Sequence, residues 1–359
     1  MDRREFIKKA GVGFAAGSVL GTPAIARAQK KFKWKMVTTW PPNFPVFHEG
    51  VVRFAGQVKE LTEGAIDIRV YAGGELVPPL QAFDAVSQGT VELAHGAAYY
   101  QAGKAPASQF FSAVPFGLNA QGMNAWFYAG GGMALYREVY APFNVVPFPM
   151  GNSGVQMAGW FRKEIKSMAD FKGLKMRIPG LGGKVLAKAG GTPVLLAGGE
   201  IYTALERGTI DATEWVGPYH DLRLGLYRAA KHYYYPGWHE PGTALELAVN
   251  KKTWAGLTKD FQSIIETTAQ AVNLWMLSEF EAKNAGALRE LQTKHKVKVL
   301  PLPASVLKEL KKLSKQVLDE EAAKDAMFKK VYDQFKRFAD ETGTWSKISE
   351  RAYLQALEL

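Results

Sequence analysis

Three residues with chemically useful side chains lie in or directly beside apolar stretches of the sequence. Gln156 lies in VQMAGWF, Arg177 lies near the end of GLKMRI, and Glu214 with Trp215 closes GTIDATEW. An arginine guanidinium pairs with a carboxylate through two hydrogen bonds, and amide, carboxylate and main-chain carbonyl oxygens suit a hard cation. The combination predicts a pocket for a small organic acid with a metal ion beside it. This pattern indicates a binding site rather than a catalytic site.

The surroundings of Arg177 are typical of an anion site. It lies near the end of an alternating strand pattern, Leu174–Ile178, and a glycine-rich turn follows. Backbone N–H groups assist an arginine when a strand, such a turn and a helix start come in succession. The turn reads GLGGKV, so Val185 breaks the GxGxxG pattern and no dinucleotide site is predicted. A surface salt bridge is the alternative for a single arginine.

The acidic residues leave more than one role open. Glu214 follows a predicted strand, and a general base, a salt-bridge partner and a cation ligand are all compatible with its position. Glu240 ends the aromatic run YYYPGWHE, most of whose rings are expected to pack in the interior. His239 before it is either a hydrogen-bond donor to a ligand or a structural histidine.

Common enzyme signatures are missing. The His-Glu pairs at 48–49 and 239–240 lack the second histidine of HExxH, and GNSG at 151–154 is not the GxSxG elbow. There is no GxxxxGK[ST] motif, and the chain contains no cysteine, which removes disulfides, iron–sulfur clusters and thiol chemistry. These absences weaken the case for an enzyme.

The first 28 residues have the pattern of a cleaved export signal. Arg3-Arg4 begins a twin-arginine motif, a mild Gly/Ala-rich apolar stretch covers Ala10–Ile25, and Ala26–Ala28 is a small-x-small cleavage site. Removing its five basic and two acidic residues lowers the formal net charge from +11 to +8. The densest basic run, 308–315, is interleaved with Glu309 and is read as a solvated helix face. A polyanion-binding surface is a weaker alternative.

Strand-like and helix-like segments alternate along the 359 residues, which predicts an α/β fold with two domains. The predicted strands are Lys33–Thr39, Ile66–Tyr71, Val91–His95, Val155–Phe161, Leu174–Ile178, Ile210–Thr213, Leu245–Asn250 and Val297–Leu300. A long helix is expected to begin after the N-cap Thr258 and to run to about Leu291. From Ser305 onward the pattern is helical, and its apolar surface either packs back on the chain or meets a partner subunit.

An internal repeat indicates two lobes of similar construction. VYAGGEL at 70–76 leads to AVSQGTVE at 85–92, and LLAGGEI at 195–201 leads to ALERGTID at 204–211. Each copy reads as strand, AGGE, helix, glycine and new strand. Ligands bind beyond the carboxyl ends of strands in open α/β sheets. The residues predicted to face each other across an interlobe cleft are His95, Tyr99 and Tyr100 on one side and Glu214, Trp215 and Tyr219 on the other.

Four runs carry a resemblance to a known family. They are GNSGVQMAGWFRKEI (151–165), FKGLKMRIPG (171–180), IYTALERGTIDATEWVGPYHD (201–221) and HYYYPGWHE (232–240). The chain resembles the extracytoplasmic solute receptors of TRAP transporters (the DctP-like family), and specifically the branch that binds 2-oxo acids. The resemblance extends from the signal to the C-terminal helices.

The resemblance implies an α/β, two-lobed, periplasmic-binding-protein-like (type II-like) fold with a hinge and an interlobe cleft. Arg177 would match the arginine that clamps the substrate carboxylate, and Tyr100, with Tyr99 beside it, would donate to the substrate. In this branch a sodium or calcium ion bridges the substrate carboxylate and its 2-oxygen. The implied ligands of that ion are Gln156, Glu214, the Trp215 carbonyl and Glu240.

Domain boundaries and partners follow from the same resemblance. After the signal, 1–28, lobe I is expected to comprise 29–153 with about 245–290, and lobe II 154–244 with about 291–304. The helices of 305–359 are a candidate dimerisation segment, because receptors of this branch can pair through an exchanged C-terminal helix. The expected partners are a small organic acid and TRAP permease membrane subunits, with no nucleic acid.

Two departures from the family pattern leave the particular acid open. His239 stands where a second aromatic residue is expected after Trp238, and Gln101-Ala102 replaces further aromatic residues. The expected function is a periplasmic receptor for a small 2-oxo or 2-hydroxy monocarboxylate bound as a metal-ion complex. The alternative is an exported metal-assisted hydrolase or lyase with Glu214 as base.

Overall fold

A computed structural model describes residues 31–359, so the predicted signal peptide lies outside the described residues. The strands are β1 (Phe32–Thr38), β2 (Ile66–Tyr71), β3 (Leu93–Gly96), β4 (Val145–Asn152), β5 (Gly159–Phe161), β6 (Lys175–Arg177), β7 (Thr192–Val194), β8 (Ala212–Thr213), β9 (His232–Tyr235), β10 (Ala244–Asn250) and β11 (Lys298–Pro301). They form two sheets, ordered β2-β1-β3-β10-β4 and β11-β9-β5-β8-β6-β7.

Helices surround both sheets. They are α1 (Phe47–Leu61), α2 (Ala82–Ser87), α3 (Ala120–Tyr128), α4 (Gly132–Tyr140), α5 (Gly180–Lys188), α6 (Gly198–Glu206), α7 (Pro218–Leu224), α8 (Leu226–Ala229), α9 (Lys251–Ala255), α10 (Lys259–Thr293), α11 (Ala304–Lys324), α12 (Ala326–Ile348) and α13 (Glu350–Ala356). Among the described residues, no helix has both the length and the apolarity that a membrane span needs.

The sequence repeat is a repeat of topology. In the first sheet β1 pairs in parallel with β2 and β3, and in the second β6 pairs in parallel with β7 and β8. The glutamates of the two AGGE segments make equivalent hydrogen bonds. The Glu75 carboxylate accepts a hydrogen bond from the Ala72 N–H (2.8 Å), and the Glu200 carboxylate accepts one from the Ala197 N–H (3.1 Å). The helix between each strand pair ends before a left-handed glycine, with φ 75° at Gly89 and 74° at Gly208.

Three strands were not predicted. β4 contains Pro147 and Pro149, which argue against a strand, but β4 lies at the edge of its sheet, where a missing N–H is tolerated. The repeat places a strand at Leu195-Leu196, but the strand found there, β7, ends at Val194; Pro193 hides this edge strand in the same way. The aromatic pattern of β9 predicts interior packing and not a strand, whereas the β9 backbone pairs with β5 and β11.

The predicted long helix is confirmed, since α10 follows Thr258, whose hydroxyl accepts the Phe261 N–H (3.4 Å). It packs on β4 and α1 beside the first sheet and on α7 beside the second. Of the two outcomes expected for the C-terminal helices, α11 and α12 pack back on the chain, and bury Val306, Leu310 and Phe335 among others. The final helix, α13, has no buried residue.

Candidate functional site

Arg177 and Glu214 are brought together by neighbouring strands of the second sheet. Arg177 ends β6 and pairs in register with Thr213, which ends the parallel strand β8. Glu214 therefore emerges at the same carboxyl edge, and its N–H donates to the Arg177 carbonyl (3.2 Å). This is the edge at which α/β sheets bind ligands.

The Arg177 guanidinium is buried, with 1% of its side chain exposed, and it forms an ion pair with Glu214 Oε1. Its Nε donates to the Leu196 carbonyl (3.2 Å), and its Nη2 donates to the Tyr100 hydroxyl (3.4 Å). The guanidinium also lies over the Trp215 ring, 5.3 Å from the centroid. Arg177 is thus both a salt-bridge partner and a link to Tyr100, which follows β3 of the other sheet.

Gln156 and Glu240 are joined by a short hydrogen-bonded chain. Gln156 Nε2 donates to Ser153 Oγ (3.0 Å) and Thr243 Oγ1 (3.1 Å), and the Thr243 hydroxyl donates to Glu240 Oε2 (2.6 Å). Because the Thr243 hydrogen is used on Glu240, Thr243 must accept from the amide nitrogen, which fixes the direction of the Gln156 carbonyl. A Cβ on Gly237 would lie 2.2 Å from the Gln156 backbone oxygen, so only glycine permits this close approach.

Several buried polar atoms here lack a hydrogen-bond partner within residues 31–359. They are Gln156 Oε1, Glu214 Oε2, Trp215 Nε1 and both ring nitrogens of His239. Buried polar groups in native proteins are nearly always paired, so several orphans in one place indicate a site that a ligand completes. The amide and carboxylate oxygens among them are ligands that a hard cation prefers, and these residues therefore fit a sodium or calcium ion.

The electrostatics of Glu214, His239 and Glu240 also indicate a cation site. Ligating atoms of Glu214, His239 and Glu240 all lie within 4.8 Å of one another, and the three residues are buried. Burial raises the pKa of Glu214 to about 7 against the opposing effect of Arg177, and burial with the nearby charge of Glu214 raises the pKa of Glu240 to about 7. Burial also lowers the pKa of His239 to about 4. Positive charge between the two acids would relieve their mutual repulsion.

Both predicted tyrosines lie at the same place. The Tyr99 and Tyr100 rings meet edge to face with centroids 4.9 Å apart, and Tyr99 is 8% exposed. The Tyr99 N–H donates to Ser112 Oγ (3.3 Å), and its side chain lies against Gly180 at the start of α5. All the predicted substrate and metal residues therefore lie in one buried region between the sheets.

Other residues of this region were missed from the sequence. Trp40 and Phe47 pack against the Trp215 ring, each with centroids 6.3 Å apart, and His220 Nε2 lies 2.8 Å from the Pro45 carbonyl across the same interface. Trp40 follows the carboxyl end of β1. Ligands bind beyond the carboxyl ends of strands in α/β sheets. This rule predicts the residues after β3 and β8, and it also predicts Trp40 when it is applied to β1.

Comparisons with known proteins bear on this arrangement. Residues 36–325 match the family model DctP, described as bacterial extracellular solute-binding protein, family 7. A monocarboxylate 2-oxoacid-binding periplasmic protein of Nostoc sp. (strain PCC 7120) is 46% identical over 358 residues, which are 98% of each chain.

Two solved structures are also similar. A TRAP transporter solute-binding protein of Bordetella bronchiseptica, a mixed-occupancy dimer with calcium and picolinate, has TM-score 0.90 and 41% identity over 91% of this chain and 97% of that one. A TRAP periplasmic solute-binding protein of Pseudoalteromonas atlantica with sodium and pyruvate has TM-score 0.88 and 42% identity over 91% and 99%. These likenesses confirm the predicted two-lobed α/β fold.

Proposed function

We propose that this chain, which belongs to the DctP family of bacterial extracellular solute-binding proteins, captures a small 2-oxo or 2-hydroxy monocarboxylate with a metal cation for a TRAP permease. The family consists of transporter receptors and not of enzymes, so the hydrolase or lyase alternative is set aside. One observation carries the proposal: unpaired amide and carboxylate oxygens lie beside a buried arginine between two sheets.

The proposed roles divide between the acid and the cation. Arg177 clamps the substrate carboxylate with the Nη groups that now contact Glu214 and Tyr100, and Tyr100 and Tyr99 donate to the substrate. Gln156 Oε1, Glu214 Oε2, the Trp215 carbonyl and Glu240 hold the cation. A cation held by these oxygens would supply positive charge beside the substrate carboxylate.

We assign the two lobes as 29–153 with about 245–290 and 154–244 with about 291–304. This division is supported by the strands, since those of the first sheet lie within 32–152 and 244–250 and those of the second within 159–235 and 298–301. Within residues 31–359, three connections cross between the sheets: 153–158, 236–243 and the segment containing α10. They are where a hinge would bend.

Closure of the lobes is the proposed mechanism. Tyr100 and Trp40 come from one lobe, and Arg177 and Trp215 from the other, so a ligand held by Arg177 and Tyr100 stabilises the closed state more than an open one. The aromatic contacts exclude water from the buried charges, which strengthens their attraction for an anionic ligand. The membrane subunits would then recognise the closed form.

The relatives support a pyruvate-like acid. The Nostoc relative is named for monocarboxylate 2-oxo acids, and the Pseudoalteromonas structure contains sodium with pyruvate. We propose export to the periplasm through the twin-arginine signal of 1–28. We also propose pairing through α13, on which Tyr353 and Leu354 are both exposed by more than 60%, with the Bordetella dimer as support.

Calorimetric titration of the dialysed mature protein with pyruvate tests this function, in sodium, in calcium and with neither. We expect tight binding in at least one cation, weak binding without one, and recovery of unchanged pyruvate. Affinity indifferent to both cations would refute the cation bridge, and turnover of pyruvate would refute the receptor. Absence of binding in every condition would refute the proposed ligand class.

A further inference from the structure

The imidazole of His239 has no role in the proposed function so far. Its side chain is fully buried, and neither ring nitrogen finds a hydrogen-bond partner in the part of the chain that the structure describes. Nε2 lies 3.5 Å from Glu214 Oε2, and a ligating atom of His239 lies within 4.8 Å of those of Glu214 and Glu240. A buried polar group without a partner is destabilising, so the ring is expected to gain one when the site is filled.

The ring is held in place by its neighbours. A Cβ on Gly182 of α5 would lie 3.0 Å from His239 Cβ, so the helix packs directly against the histidine. The Trp238 ring contacts the imidazole, with centroids 5.4 Å apart. The imidazole is therefore positioned beside the two acids by packing, and it does not depend on a hydrogen bond of its own.

A nitrogen at this position has a chemical consequence. Sodium and calcium take oxygen ligands, and they gain little from an imidazole. First-row transition cations bind imidazole well, and their affinity for a mixed nitrogen and oxygen site rises from Mn²⁺ to Cu²⁺. Two carboxylates and one imidazole around one position form a ligand set that suits such cations.

We propose that His239 supplies a nitrogen ligand, so that the site also accepts a first-row transition cation such as Co²⁺ or Mn²⁺ together with the organic acid. This rests on the proposed function, because the cation position is the one assigned there to sodium or calcium. The receptor would then capture transition-metal complexes of 2-oxo acids as well. The competing explanation is that the His239 N–H only orients Glu214.

Metal titration of the purified receptor separates these explanations. We compare wild type with His239→Gln, whose amide offers an oxygen in place of the ring nitrogen, at saturating pyruvate. The expected result is Co²⁺ binding at least 10-fold weaker in the variant, with Ca²⁺ binding within threefold of wild type. His295→Gln, which removes a histidine next to Glu290 at the end of α10, is the matched control and should change neither.

Pulsed electron paramagnetic resonance of bound Mn²⁺ gives a second readout. Wild type should show coupling to ¹⁴N, and His239→Gln should lose it. Equal Co²⁺ affinity in both proteins, absence of ¹⁴N coupling in wild type, or an equal loss of Ca²⁺ and Co²⁺ affinity in the variant would each overturn the proposal. A wild type that binds no pyruvate with sodium or calcium refutes the proposed function instead, and the ¹⁴N measurement on Mn²⁺ alone still decides the role of His239.

Discussion

Two buried acids, Glu246 in the first sheet and Glu214 beside the second, both have a raised pKa but different surroundings. Burial raises the pKa of each to about 7. Glu246 Oε2 accepts hydrogen bonds from the Tyr136 and Tyr140 hydroxyls, at 2.5 and 2.7 Å, whereas Glu214 Oε2 has no hydrogen-bond partner among residues 31–359.

The difference shows which feature marks a binding site. A raised pKa is common to both regions, because desolvation is its first cause in each. The Glu214 region differs because it leaves a carboxylate oxygen of Glu214 and the amide oxygen of Gln156 unpaired, with an arginine beside them. Incomplete hydrogen bonding therefore separates the two regions, and a perturbed pKa alone would have selected both.

The largest expected effect comes from removing Arg177, the cation that pairs with Glu214. Replacing Arg177 with alanine leaves a bound carboxylate buried without its cationic partner, so pyruvate binding should weaken by about 2–5 kcal/mol. Arg177→Lys keeps the charge but loses the two-pronged geometry, and it should fall between wild type and Arg177→Ala. Calorimetric titration in the preferred cation measures both.

The comparison supplies the control for this experiment. Glu246→Gln changes an equally buried carboxylate in the other region, and pyruvate affinity should stay within about threefold, which is under 1 kcal/mol. An Arg177→Ala protein that keeps its affinity within a few-fold would contradict the clamp assigned to Arg177. A large loss in Glu246→Gln would contradict the division between the two regions.

The pH dependence of stability tests the surroundings of Glu246. Its folded-state pKa of about 7 lies above the ordinary 4.5, so the stability that Glu246 contributes is complete below pH 4.5 and is lost as the pH rises through 7. Glu246→Gln does not titrate, so its stability relative to wild type should rise over this window by up to about 3 kcal/mol.

Urea unfolding of both proteins between pH 4.5 and 8 measures this difference. The other titrating groups are the same in the two proteins and cancel, including His95, whose pKa burial lowers to about 4. A difference in the free energy of unfolding that does not vary with pH would show that folding does not raise the pKa of Glu246.

The sequence predicts much of this site because its chemistry is local. Arg177 and Glu214 each end a strand pattern, and parallel strands bring such ends together. The AGGE repeat predicts that the two lobes are alike for the same reason, since strand, turn and helix follow one another in the chain.

What the sequence does not reveal are partnerships between distant residues. The Thr243 hydroxyl that links Gln156 to Glu240 lies 87 positions from Gln156, and the Tyr136 hydroxyl that supports Glu246 lies 110 positions from it. No local pattern marks either hydroxyl. The prolines of β4 hid a strand for a related reason, because only its edge position in the assembled sheet makes them acceptable.

The smallest expected effect compares those two hydroxyls. Thr243→Val keeps the shape of the side chain but removes the group that orients Gln156 and Glu240, so pyruvate affinity should fall about 10-fold, or about 1.4 kcal/mol. Tyr136→Phe removes one of two donors to Glu246 and should lower the free energy of unfolding by about 1 kcal/mol, with affinity unchanged within twofold. Calorimetry and urea unfolding of both variants measure these effects. If Thr243→Val lowered only the free energy of unfolding and left pyruvate affinity unchanged, the Thr243 hydroxyl would support the fold as the Tyr136 hydroxyl does. That result would contradict the role of Gln156 Oε1 as a cation ligand.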